Sequence, residues 1–443
     1  MMNIHKIDLP QGTLVPLASS AIALSWVILV QPLTLAVTFD FDRALLNPNP
    51  ANDDLFGHAV AISGNHLLVG ALGDDEDDDA AIDVAYLFDI TTGSLTHTFS
   101  NPTPPVSNPF GDQFGFAVAI DGNNAIVGAP MDDDGNNSGA AYLFDAISGD
   151  LLQTFLDPNP SNNSEFGHSV AVNGNRVLVG TPSEDTGAPN TGAAHLFDVT
   201  TGDLLHTFNN PTPGGGDLFG DAVALEGDRV LIGAFLDDEG EENSGAAHLF
   251  DATTGDFLQT FSNPTPARGD VFGSALAISG NTIAIGARAD DEGANNSGVV
   301  HLFDATTGDF RQTITNPTPD VGDVFGVSLT AHGNTLLVGA IADDEGASNS
   351  GAAHVFDLTT GELLQTLSNP TPEVGDLFGN GVAFNGDRAI VAAFGADDGG
   401  ENTGAVYVFE AASSQKVPEP GVVLGSIVVA GSALKWSKRK ERV

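Results

Sequence analysis

The chain has 443 residues, a formal net charge of −45, 41% hydrophobic residues and no cysteine. That charge opposes binding to nucleic acid and to anionic membrane surfaces, and the lack of cysteine excludes disulfides, thiolate metal sites and thiol nucleophiles. Such charge with few apolar residues would indicate disorder. All 27 phenylalanines, however, fall between residues 37 and 412, so a folded core is expected there.

Residues 1–36 read as an export signal. Lys6 gives a positive start, 14–30 is apolar, and Leu33-Thr34-Leu35-Ala36 offers a small residue for cleavage. The competing reading is an uncleaved anchor. The next stretch, 37–50, has the sequence of a strand running into Asn-Pro.

From there one unit recurs. Phe-Gly pairs open copies at Phe56, Phe114, Phe166, Phe219, Phe272, Phe325 and Phe378, and the last four intervals are all 53 residues. A fixed period of this size marks a repeat architecture. In the copy at 216–266, four short apolar runs stand at 219–225 (A), 229–234 (B), 245–251 (C) and 256–261 (D). Each has strand length, and none has room for a helix. Glu226-Gly227-Asp228 joins A to B and Ala-Thr-Thr-Gly-Asp joins C to D, both tight-turn chemistry. Four antiparallel strands repeated seven times predict an all-β fold, a seven-bladed β-propeller over 37–412. The last copy stops after run C. The strand at 37–46 is therefore expected to complete the final blade and close the ring. Short apolar helices are expected at both termini.

Strand alternation sorts the connections. A–B and C–D turns fall on one face, B–C loops and D–A links on the other. The second group carries the acid. The links bear Asn-Pro-Thr-Pro followed by Asp217, Asp270, Asp323 or Asp376, and proline there stiffens an extended passage. The B–C loops bear Asp237, Asp238 and Glu239; Asp290, Asp291, Glu292 and Asn295; and Asp343, Asp344 and Glu345. Calcium takes six to eight oxygen ligands, and these residues offer them, with Asp270 able to approach Asp290 from the link. The competing reading is a solvated acidic loop.

Phe114-Gly115 with Gly128-Ala129-Pro130 resembles the FG-GAP repeat. Phe235 and Arg288 replace the proline elsewhere, and the last copy has Ala392-Ala393. The resemblance implies a propeller like the head of integrin α chains, used in extracellular adhesion and ligand binding. Calcium loops between strands A and B, which some members carry, are not carried over, because the A–B turns here have three residues.

His195, His248, His301 and His354 share one position in run C with Tyr86, Tyr142 and Tyr407. A metal held by several imidazoles would need them to converge, and blades spread them around the ring, so a packed structural position is expected. His58 and His168 follow Phe-Gly in two copies and are expected to be exposed. Arg288 is a candidate clamp for a ligand carboxylate or phosphate, or a partner for a neighbouring Asp. No Ser-His-Asp set, nucleophile elbow or metal-hydrolase motif is visible, so a non-catalytic binding or adhesion module for polysaccharide or surface protein is expected. A structural cation-holding matrix protein and a polysaccharide-active enzyme are the alternatives.

The chain ends in Val417-Pro418-Glu419-Pro420, an apolar stretch at 421–434 and a basic cluster at 435–440. Motif, apolar segment and basic end resemble the PEP-CTERM sorting signal of Gram-negative bacteria. That resemblance makes 413–443 a sorting tail. It implies an exosortase-type enzyme as partner, transient membrane anchoring, cleavage near Pro418 and delivery to the cell surface or extracellular matrix.

Overall fold

The computed structural model describes residues 38–73, 83–103, 111–132, 138–161 and 163–412. The expected signal, both expected terminal helices and the sorting motif at Val417, Pro418, Glu419 and Pro420 lie outside them. Among the described residues no helix is long and apolar enough to cross a membrane.

Seven four-stranded antiparallel sheets make up the body, one per repeat. In blade 4 the strands are A (Val223–Glu226), B (Arg229–Ala234), C (Ala246–Asp251) and D (Phe257–Ser262). Strand A begins later than the apolar run, because the chain reverses at its front. Leu218 (φ 56°) and Gly220 (φ 100°) both take left-handed backbone. The A strands of successive blades contact one another in a ring, so A is innermost and D outermost. The ring closes as expected. Phe39–Leu46 pairs antiparallel with Ala405–Ala411, from Phe39 opposite Ala411 to Leu46 opposite Ala405. Gln365, on strand D of blade 6, bonds both backbone groups of Phe39 at 2.7 Å.

The core lies between blades rather than within them. Leu178, Leu196 and Phe208 of blade 3 form one apolar cluster with Phe219, Val230, Ile232 and Phe250 of blade 4. The phenylalanine that opens each of the seven copies is fully buried. Phe219 meets Phe250 edge-on at 6.1 Å, the arrangement the ring quadrupoles favour. Its N–H donates to Thr191 O of the preceding blade (3.0 Å).

The glycines of the repeat explain how close the blades come. The N–H of Gly220 donates to Gly233 O within blade 4 (2.9 Å). On its other side, Gly220 lies against Gly180 of blade 3. A Cβ on Gly180 would overlap the Gly220 carbonyl oxygen, far inside van der Waals contact. The pairs Gly70/Gly115, Gly128/Gly167, Gly233/Gly273, Gly286/Gly326 and Gly339/Gly379 repeat this. The closing seam differs, since Ala392 stands where the other blades have glycine. A Cβ on Gly57 would stand 3.1 Å from the Ala392 methyl. Asn380 spans that seam, donating to Gly57 O (3.0 Å) and His58 O (3.2 Å).

Gly233→Ala should therefore destabilise the protein by about 3 kcal/mol through backbone overpacking. Ala392→Gly should cost only about 1 kcal/mol. Denaturant melts of the two variants check this, and equal losses would break the account.

Candidate functional site

The acidic connectors build a polar box on one face of each interface. In blade 4, Asn210 at the end of the preceding D strand donates from Nδ2 to Asp217 Oδ2 (2.7 Å) and accepts Thr212 N–H at Oδ1 (2.9 Å). The Thr212 hydroxyl donates to Asp237 Oδ2 (3.1 Å). Asn47–Asp54, Asn263–Asp270, Asn316–Asp323 and Asn369–Asp376 repeat the first contact at 2.7–2.8 Å. Asn-Pro-Thr-Pro is more than the stiff spacer that its prolines predict. Its asparagine and threonine hold the carboxylates, and their recurrence in the links was the signal.

The B–C residues divide by depth. Asp237, Asp290 and Asp343 are buried. Their Oδ1 atoms accept the N–H of Glu239, Glu292 and Glu345 (2.7, 2.7 and 2.8 Å). Asp238, Asp291 and Asp344 are exposed and cap the loop, accepting the N–H of Asn243, Asn296 and Asn349. Glu239, Glu292 and Glu345 also face solvent, as does Asn295, whose Nδ2 donates to Asp291 Oδ1 (3.2 Å). Each loop thus sends one carboxylate inward, toward the link Asp, and leaves the others at the rim. A cavity of about 330 Å³ is lined by Thr212, Gly214, Asp217, Asp237, Asp238 and Glu239. Asp74–Asp79 and Asp133–Asp134 lie outside the described residues.

The electrostatics follow from burial without cations. Only seven arginines and no lysine fall within 38–412. Burial, then the charges of Asp270, Glu292 and Asp291, push Asp290 up to about 6 against the Glu292 N–H. Asp217, Asp270, Asp323 and Asp376 are raised by burial first as well. The opposite face behaves differently. There Asp251 accepts the N–H of Thr254 and Thr253 (2.8 Å each) and is held below the usual carboxylate range.

The strand-C histidines and tyrosines enter the same boxes. Tyr142 donates to Asp132 Oδ2 (2.6 Å) and lies 2.6 Å from Thr103 Oγ1. His248, His301 and His354 are fully buried, with Nδ1 at 3.0–3.1 Å from Thr260, Thr313 and Thr366. Imidazole is shorter than phenol, so each Nε2 is left without a partner, and burial pushes these rings down to about 4. His195 is the exception: its Nε2 lies 2.9 Å from Glu184.

Two other expectations change. His58 and His168 are half-buried rather than exposed, and both pack on Phe116 (4.9 and 4.7 Å) because they line the inner strands. Arg288 forms no ion pair among the described residues; its guanidinium stacks over Phe235 at 5.8 Å. On the inner side, a cavity of about 230 Å³ is lined mainly by aliphatic A-strand residues, among them Val60, Val118, Val170 and Val382.

The family model described as FG-GAP repeat matches residues 41–88, 109–144, 152–197, 213–250, 264–303, 310–356 and 365–409. The chain belongs to the FG-GAP repeat family. Its seven matched segments each bring one strand-C aromatic or histidine to an interface, and the Phe-Gly and Gly-Ala glycines of the FG-GAP unit form the inter-blade contact described above. A search of curated proteins gives no match.

Two variants of this FG-GAP propeller test the boxes. The folded Asp290 keeps a proton that the unfolded chain has released, so its contribution to stability falls as pH rises from 3.8 to about 6. Asp290→Asn should melt higher than the native protein at pH 7, with the advantage vanishing below pH 3.8. His248 has the opposite sign: its folded pKa of about 4 lies below 6.5, so stability is lost as pH falls through that interval. His248→Tyr should add about 1 kcal/mol by supplying the missing hydrogen bond and should flatten the melt-versus-pH curve over that interval. A steeper curve would count against the box.

Proposed function

We propose that this propeller is an exported, non-catalytic binding module that presents its anionic face to an extracellular polysaccharide or surface protein, with calcium assisting at the rim. One observation carries the reading. In each of several boxes a link Asp and a B–C Asp are buried on the same face, with further carboxylates at the solvent edge and no arginine paired to the B–C or link carboxylates of blades 5 and 6 among the described residues. Adjacent buried carboxylates disfavour one another's ionisation unless a cation compensates. Oxygen-only donors from Asp237, Asp238 and Glu239, and their counterparts in blades 5 and 6, match the preference of calcium. Membership of the FG-GAP family supports binding rather than turnover, as does the aliphatic inner cavity. The resemblance of 417–440 to a PEP-CTERM signal, with the apolar segment near the start, supports export and recognition by an exosortase-type enzyme.

A structural cation-holding protein is the second reading, favoured by the same carboxylates. Glycan-array binding with and without millimolar calcium separates the two. Calcium-dependent capture together with a calcium-raised melting temperature supports the binding module. A raised melt with no capture supports the structural one, and neither response removes calcium from both. Export makes its own prediction. Trp26 and Trp436 lie in the two terminal segments, while Tyr86, Tyr142 and Tyr407 lie in the body. Material secreted after processing at both ends should show tyrosine-only fluorescence.

A further inference from the structure

One box departs from the rest. At the end of strand D, six links carry asparagine: Asn47, Asn101, Asn210, Asn263, Asn316 and Asn369. The link into blade 3 carries Asp157. Seven residues on, where five of those links offer aspartate (Asp54, Asp217, Asp270, Asp323 and Asp376), this one has Ser164. At the inward B–C position, Glu184 replaces the aspartate seen at 132, 237, 290 and 343. These three changes lie apart in sequence and meet at one point. The Asp157, Glu184 and His195 donor atoms all lie within 4.8 Å of one another, and all three residues are buried.

Each donor is held from behind. Ser164 donates to Asp157 Oδ2 (2.6 Å) and Asn159 N–H to Asp157 Oδ1 (2.8 Å). Asn159 Nδ2 donates to Glu184 Oε1 (2.9 Å). His195 Nδ1 lies 3.1 Å from Thr207 Oγ1, which leaves Nε2 facing Glu184 Oε2. Outer bonds of this kind orient the ligands of metal centres. The box keeps two buried carboxylates, as in blades 4 to 6, but Ser164 takes the place of the link aspartate and the two carboxylates, Asp157 and Glu184, gather with an imidazole. Glu184 faces His195 Nε2 at 2.9 Å, and no arginine pairs with either carboxylate among the described residues, so the three donors form a mixed oxygen and nitrogen set that the other boxes lack. Blades 4 to 6 give the contrast. There the shorter aspartate does not reach the histidine, and the buried Nε2 atoms of His248, His301 and His354 have no partner.

We infer that Asp157, Glu184 and His195 form a single divalent transition-metal site of the zinc class between blades 2 and 3. One imidazole and two carboxylates suit zinc, which takes nitrogen and oxygen donors at about 2.1 Å and commonly three protein ligands. Calcium prefers an oxygen-only shell, so the imidazole discriminates against it. Small side-chain adjustments bring the donors to bonding distance. The site is independent of the calcium reading of the rim and stands or falls separately from it.

The test uses the full chain with millimolar calcium present, which occupies oxygen-only sites. Calorimetric titration with zinc should show one equivalent bound, and cobalt substituted for zinc should give the visible d–d absorption of a low-coordinate site containing nitrogen. Asp157→Asn restores the residue of the other links; since loss of even an outer-shell partner costs about 10- to 100-fold in metal affinity, loss of this ligand should weaken zinc binding by at least about 100-fold without lowering the zinc-free melting temperature. Glu184→Asp should do the same, so misfolding of either variant leaves the other to decide. Equal zinc affinity in native and variant proteins, or no zinc equivalent beyond calcium, overturns the inference and leaves a hydrogen-bond network at this position.

Discussion

The structure depends on one contact: the backbone of one blade lying directly on the backbone of the next. Six glycine pairs, from Gly70/Gly115 to Gly339/Gly379, leave no room for a methyl group at the interface. Because the sheets approach this closely, the apolar residues of strands B and C pack across interfaces instead of filling a central core. The FG-GAP signature is thus a steric device. Phenylalanine anchors a blade to its predecessor through its ring and its N–H, and the glycines on either side let the sheets meet. The seam where the chain ends are brought together carries an alanine, and Asn380 bonds across the slightly wider gap.

This close stacking also decides where charge goes. The buried positions of the inner and middle strands hold apolar residues and a few hydrogen-bonded hydroxyls, phenols and imidazoles, and the D–A and B–C connectors, which antiparallel pairing puts on one face, hold the buried carboxylates of the boxes. Asn210 and Thr212, with their counterparts, hold the buried members of each set in place. The same boxes tolerate either phenol or imidazole from strand C. Tyr142 reaches its aspartate, His248 does not, and His195 reaches only because Glu184 is longer. Repetition therefore supplies several versions of one polar environment, and small changes in side-chain length give each its own chemistry.

Much of this was legible in the sequence. The period, the turn chemistry and the missing final D strand determined the blade count, the strand order and the closure by Phe39–Leu46, since strand pairing follows from apolar runs and turns close in sequence. The placement of the acidic B–C loops and D–A links on a common face followed from strand alternation. What only the tertiary structure decided is how residues from different blades meet. Depth separated Asp237, Asp290 and Asp343 from their exposed neighbours. The strand-C histidines do not converge on one another, and what sets each apart is the group beside it: Glu184 for His195, none at Nε2 for His248, His301 and His354. Asp157, Glu184 and His195 come together across the blade 2–3 interface, and no local pattern places them. The physical reason is that sequence periodicity fixes the backbone of each sheet. The distance between side chains of neighbouring sheets is set by how closely glycine lets those backbones approach.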